Sequence, residues 1–267
     1  MRTSYHNHSK WSDGIASIEQ MALAAKNAKL DEFGISDHYI EAPFDNSEIA
    51  EWCLDVNRVN EYVEDALDVK KRLETDTFKV KIGLEVDFFQ ENAEEITKKL
   101  KKYPFDYLIG AVHFSGTFPI DLSAESWKPL GQEKIDEIWR IYWKKIRLAA
   151  ASGHYSFIAH LDLPKKFLFL PEYDYSDDAF RALRAAKKAD VAIEINTAGW
   201  AKPCKSPYPA ANILAYACEI GVPALVSADA HEPEHVDRFY DEAEERLRQA
   251  GYRKTACVFD KFVRTIP

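Results

Sequence analysis

The chain of 267 residues is 46% hydrophobic and 30% charged, the balance of a folded globular chain long enough to bury a substantial core. Its net charge of −9 argues against broad nucleic-acid binding, which needs clustered Lys and Arg, but leaves room for a small phosphorylated substrate whose charge a metal offsets. Residues 1–14 carry no signal-peptide core, no apolar run reaches membrane-spanning length, and Cys53, Cys204, Cys218 and Cys257 form no CxxC pair, so reduced thiols in a soluble cytoplasmic protein are expected.

Along the chain, short apolar runs alternate with amphipathic stretches. The pattern predicts a strand over residues 3–5 and a helix over 18–29, then a strand over 32–36 and a helix over 48–73. Further strand and helix pairs follow at 79–86 and 93–101, 107–112 and 133–151, 157–159 and 177–189, 191–195 and 211–219, and 223–227 and 233–249. Ser176-Asp177 and Glu234 are candidate helix starts, and Gly221 and Gly251 candidate stops. Strands alternating with helices imply a parallel sheet with helices outside it, and seven such units favour closure into a barrel. No GxGxxG or GxxxxGK[ST] follows a strand, so no dinucleotide or P-loop site is indicated. The long segment 114–131, rich in Ser, Pro and Gly, reads as a lid or a surface excursion.

Six of the eight histidines and two carboxylates fall at the ends of these runs. His6 and His8 close the first as an HxH pair, whose i, i+2 spacing turns both rings to one side of an extended strand. His38, Glu85, His113 and His160 close the next four, Asp229 and His231 follow the last, and Asp13 lies in the loop after the first. A lone histidine or HxH is more often structural. Six histidines gathered at the strand ends, where barrel loops converge, instead point to a metal site of the kind that takes Zn, Mn or Fe. His154, after Gly153, and His235, in the first turn of the last helix, read as structural or exposed.

The ordered motifs HNHSKWSDG, SDHY, GLEVDF, GAVHF, AHLDL, EINTAGW and SADAH resemble the PHP (polymerase and histidinol phosphatase) superfamily over almost the whole chain. GLEVDF, GAVHF, HLDLPKKF and EINTAGWAKP are similar to its histidinol-phosphate phosphatase branch. The resemblance implies an α/β fold, a distorted (β/α)7 TIM-like barrel formed by residues 1–267 as one domain, with a trinuclear metal centre. Carried over by motif, one ion takes His6, His8, Glu85 and Asp229, a second shares Glu85 and adds His113 and His160, and a third takes Asp13, His38 and His231. Asp13 stands where some members have His, a harder ligand that favours Mn or Fe there.

The implied reaction is attack on phosphorus by a metal-activated hydroxide, with Glu85 bridging two ions. Asp229, His231 or a metal-bound water could protonate the leaving oxygen. Lys166 and Lys202 are candidate phosphate contacts or solvated surface charges; Ala201 occupies the position where the usual GLRKP pattern has Arg. Asn196 and Thr197 are second-shell donors or turn residues, and Asp162 is a partner for His160 or a helix cap. Phe114, Trp127, Trp200 and Tyr208 could wall a substrate pocket. The expected activity is hydrolysis of L-histidinol phosphate in histidine biosynthesis. The alternatives are a phosphatase or phosphodiesterase for another small ester or nucleotide, a polymerase-associated nucleic-acid module, and a scaffold with structural metals. Ala201 keeps the first open, and the acidic charge opposes the second. Monomer and dimer both remain open.

Overall fold

In the computed structural model, which describes residues 1–258 and 264–265, the seven expected strands all form. They are β1 (Thr3–Ser4), β2 (Glu32–Ile35), β3 (Lys79–Asp87), β4 (Tyr107–Ala111), β5 (Phe157–Ile158), β6 (Ala192–Asn196) and β7 (Ala224–Ser227). Each pairs in parallel with the next. The ring is drawn nearly closed just beyond the first and last strands, where Asn7 bridges Ala230 in parallel and the His8 amide donates to the Ala230 carbonyl at 2.8 Å. Each strand leads into a helix on the outside: α1 (Ile18–Asn27), α2 (Val59–Leu73), α3 (Ala93–Leu100), α4 (Gln132–Ser152), α5 (Ser176–Ala189), α6 (Ala211–Glu219) and α7 (Tyr240–Gln249). Local chemistry sets several ends. Ser17 and Gln20 form a reciprocal capping box at the start of α1, and Gly153 ends α4 at φ 67°, a conformation glycine adopts without steric cost.

Alternation along β3 divides two environments. Val80, Ile82, Leu84 and Val86 join the core between sheet and helices, so Gly83, Glu85 and Asp87 face the barrel interior. Its N-terminal half is plugged by Tyr5, Tyr107, Phe157, Ile109, Ala192 and Leu225. The Tyr107 hydroxyl donates to the carbonyls of Tyr5 at 2.5 Å and Ile35 at 3.1 Å, which ties β4 to the first two units. Its ring lies against Gly83, where an added Cβ would come within 2.6 Å of ring atoms. The plug leaves the opposite end of the barrel to polar groups.

Two expected helices are interrupted. Residues 48–73 form a 3-10 turn, Ser47–Glu51, and then α2, because Asp55 folds the chain between them: its side chain accepts the Asn57 amide at 2.9 Å and its carbonyl the Arg58 amide at 2.8 Å. Residues 233–249 form a 3-10 turn, Pro233–His235, and then α7, with Phe239 at φ 58° marking the break. Segment 114–131, expected as a lid or a surface excursion, carries structure of its own and an anchor in the core. It pairs Phe114–Ser115 with Phe118–Pro119, winds a short turn over Ala124–Trp127 and buries Trp127 completely, its indole N–H on the Ile120 carbonyl at 3.0 Å. No described helix is long and apolar enough to cross a membrane.

Because the Tyr107 ring cannot retreat from a plugged interior, Gly83→Ala overpacks the barrel and is expected to cost about 1–3 kcal/mol. Urea unfolding measures this, and an unchanged midpoint would show that the plug is loose.

Candidate metal centre

All nine residues singled out as donors meet at the C-terminal end of the barrel. His6 and His8 emerge from β1, His38 pairs beside Glu85 on β3, and His113 and His160 follow β4 and β5. Asp229 and His231 follow β7, with Asp229 turned into the left-handed region at φ 49°, which Asp tolerates better than most residues. Asp13 is delivered by a loop that Asp37 pins from below, accepting from the Ser9 amide at 2.7 Å, the Ser9 hydroxyl at 2.9 Å and the Ser12 hydroxyl at 2.6 Å.

The donor atoms fall into overlapping sets. Glu85 Oε2 lies 3.2 Å from His6 Nε2 and 3.7 Å from His8 Nε2, while Asp229 Oδ1 lies 3.6 Å and 3.2 Å from the same two nitrogens. Glu85 Oε1 faces His160 Nε2 at 2.8 Å and His113 Nε2 at 3.5 Å. Asp13 faces His231 Nε2 at 3.2 Å and His38 Nε2 at 3.7 Å. Glu85 thus presents one oxygen to each of two sets. His38 stands between sets, since its Nδ1 is 2.7 Å from Glu85 Oε2.

The electrostatics explain how so many titratable groups coexist in a buried place. Burial pushes Glu85 up, but His6, His38 and His113 outweigh it and hold the carboxyl well below its ordinary range. Burial likewise opposes charge on His6 and His113, yet carboxylates, Glu85 foremost, lift His6 well above its usual value and His113 to about 10. His8 goes the other way, to about 3, through burial and its neighbours His231 and His38, so its ring stands neutral. The buried atoms His6 Nε2, His8 Nδ1 and Nε2, His38 Nδ1 and Glu85 Oε2 make no well-directed hydrogen bond, although Glu85 Oε2 lies 2.7 Å from His38 Nδ1 and 3.2 Å from His6 Nε2. Buried polar atoms are normally paired. Unpaired nitrogens and a carboxylate oxygen converging within 4.8 Å fit a divalent cation of the Zn, Mn or Fe type.

Several residues that sequence reasoning passed over complete the site. Glu194 on β6 accepts from the His160 amide at 2.7 Å and Asn196 Nδ2 at 2.8 Å and lies 3.1 Å from His6 Nδ1, which fixes that ring. A Glu inside the apolar run VAIEI was the available signal. Asp87, two residues after Glu85, accepts from the His113 amide at 2.8 Å. Trp52 packs edge-on against His38 with ring centroids 5.0 Å apart. Asn196 serves both expected purposes: Nδ2 donates to Glu194 and, at 3.0 Å, to Asp229, while Oδ1 accepts the Ala198 amide in the turn. Thr197 Oγ1 is buried without a partner. Asp162 does neither thing expected of it. Its carboxylate accepts from Lys165 Nζ at 3.0 Å and the Ala210 amide at 2.8 Å, with no bond to the His160 ring and no cap to the following 3-10 turn.

The cluster opens into a cavity of about 560 Å³. Lys166, Lys202, His235 and Arg238 line it, as do Trp52, Phe114 and Tyr208. Lys166 donates to the Asp121 carbonyl at 2.6 Å and carboxylate at 3.2 Å. Lys202 is shifted down by burial and then by Lys166. His235, read from the sequence as peripheral, is on this wall and pairs with Glu232 at 2.9 Å. Trp127 is in the core instead, and Trp200 packs on Phe239, with ring centroids 5.9 Å apart. His154 sits at the end of α4, away from the cluster.

A parallel seven-stranded barrel carrying this donor set belongs to the divalent-metal-using α/β class. The chain belongs to the PHP domain family, which it matches over residues 4–198. It is 32% identical over 235 residues to a "Probable histidinol-phosphatase" of Deinococcus radiodurans, covering 88% of this chain and 87% of the relative. A protein of the same description from Schizosaccharomyces pombe is 28% identical over 76% of this chain and 69% of its own. The fold is that of the Lactococcus lactis histidinol phosphate phosphatase, solved with zinc, L-histidinol and phosphate, at a TM-score of 0.77 and 21% identity over 96% of this chain and 95% of that one.

Ions held by these donors stabilise the folded state by linkage, roughly 2.7 kcal/mol at a hundredfold excess over Kd. Exhaustive chelation is therefore expected to lower the Tm by several degrees while leaving the helical circular dichroism of the barrel intact, and added Zn or Mn to restore it. A Tm indifferent to both would contradict metal occupancy of the cluster.

Proposed function

We propose that the protein hydrolyses L-histidinol phosphate to L-histidinol and phosphate as a metal-dependent phosphomonoesterase. The observation that carries this reading is the sharing of Glu85 between two donor sets directly beneath a cavity with a cationic wall. The names of the relatives supply the substrate. In this reading three divalent ions, Zn, Mn or Fe, are held by His6, His8, Glu85 and Asp229, by Glu85, His113 and His160, and by Asp13, His38 and His231. Bound cations lower the pKa of water and offset the charge of the phosphoryl oxygens.

The chain's own residues do the rest. Glu85, with a side chain that is 0% exposed, cannot meet substrate and serves to hold cations. Asp229 and His231, 15% and 37% exposed, form the cavity-facing edge of the cluster. Burial opposes charge on Asp229, but His6 and His8 outweigh it and keep Asp229 ionised, which leaves His231 as the protein group placed to pass a proton to the leaving oxygen. Lys202 attracts the phosphate as a point charge, and Lys166 does so while steered by Asp121. Trp52, Phe114 and Tyr208 give the cavity an aromatic side against which the organic part of the ester can pack. The net charge of −9 and a cavity of about 560 Å³ favour a small ester over a nucleic-acid strand.

The test is phosphate release from histidinol phosphate, p-nitrophenyl phosphate and nucleotides by metal-stripped protein reconstituted with Zn, Mn or Fe. Metal-dependent turnover strongly favouring histidinol phosphate is expected, and Asp229→Asn should lower kcat by at least about 10²-fold with the fold retained. Turnover of another ester with histidinol phosphate ignored would sink the substrate, and metal-independent turnover would sink the mechanism.

A further inference from the structure

Three basic side chains outside the donor cluster, Lys166, Lys202 and Arg238, line the cavity with His235 beside them, and they differ in what they already hold. Lys166 is engaged by Asp121, and His235 by Glu232. Arg238 is not engaged in this way. Of its five N–H donors, Nη2 reaches the Ala228 carbonyl at 3.1 Å and Nε is buried with no acceptor, while Asp229 and Glu232 lie near enough to act on its charge without pairing with it. A half-buried guanidinium with an unsatisfied N–H gains from an anion that completes its hydrogen bonds.

Its place in the fold is specific. Arg238 lies in the break between the turn Pro233–His235 and α7, where Phe239 at φ 58° turns the chain back and packs its ring on Trp200. Trp200 and Lys202 belong to one turn and Arg238 and Phe239 to another, so this aromatic contact pins the two turns together on the cavity wall. Arg238 and Lys202 are close enough to repel each other's charge. Ala201, beside Lys202, contributes no donor of its own.

We propose that Arg238 supplies the bidentate phosphate contact of this site, from the α7 side of the cavity, with Lys202 as its monodentate neighbour. The inference rests on the reading of the site as a phosphate-ester site. Two parallel N–H bonds from a planar fork match two phosphoryl oxygens, which a lysine cannot do. An arginine absent from position 201 is thereby replaced in space by one that is 37 residues away in sequence.

The experiment is calorimetric titration of inorganic phosphate into metal-loaded wild-type protein, Arg238→Ala and Arg238→Lys, with metal content measured on the same samples. Arg238→Ala is expected to weaken phosphate binding about 10- to 100-fold at unchanged metal content, and Arg238→Lys to recover only part of it. An affinity within twofold of wild type in Arg238→Ala overturns the proposal, as does wild-type protein that binds no phosphate when fully loaded with metal. If Arg238→Ala loses metal and Arg238→Lys restores both metal and phosphate affinity in full, Arg238 is only a strut for Ala228, and the proposal also falls. Phosphate binding that depends on Arg238 in a protein that ignores histidinol phosphate upholds this inference and removes only the substrate named above.

Discussion

A carboxylate with no exposure to water sits in the middle of a barrel, and the arrangement around it follows from the need to compensate that charge. An unpaired buried carboxylate costs several kcal/mol. Glu85 meets this with His6, His38, His113 and His160, drawn from four different strand ends. These imidazoles in turn need anchoring. Glu194 fixes His6, and Asp87 holds the backbone at His113. The result is a compact lattice of alternating charge that divalent ions can enter at the expense of protons, since protons and metals compete for the same nitrogens.

The barrel's asymmetry makes that lattice possible. Tyr107 and its aromatic neighbours fill one half of the interior, so that polar groups are confined to the other half without water beneath them. Gly34 and Gly83 give way to the Tyr107 side chain, and β3 thus carries packing and chemistry on the same inward face two residues apart. Above the cluster the breaks in the expected helices shape the cavity. The turn at Asp55 sets Trp52 against His38, and the turn at Phe239 sets Arg238 on the wall.

Strands and candidate metal donors were legible in the sequence for one shared reason: every candidate donor but Asp13, which lies in a loop, closes or directly follows an apolar run, and run ends become the barrel rim. His38 and Glu85, separated by 47 positions, land side by side because their strands are parallel neighbours. What escaped has equally physical causes. Glu194 was absorbed into an apolar run whose inward face is polar only at its end. Arg238 and Trp52 were hidden by helical periodicity that continues through 233–249 and 48–73, while Asp55 and a left-handed Phe239 break the backbone. Asp162 is two residues from His160, but a left-handed turn at φ 64° sends its carboxylate to Lys165 and Ala210 instead.

The central claim is that Glu85 joins two cation sites, one on each of its oxygens. Anomalous scattering from crystals grown with Zn or Mn tests it most directly. Two peaks flanking the Glu85 carboxylate, one toward His6, His8 and Asp229 and the other toward His113 and His160, are predicted. Metal-loaded crystals with no peak at Glu85, or with one peak only, would contradict it.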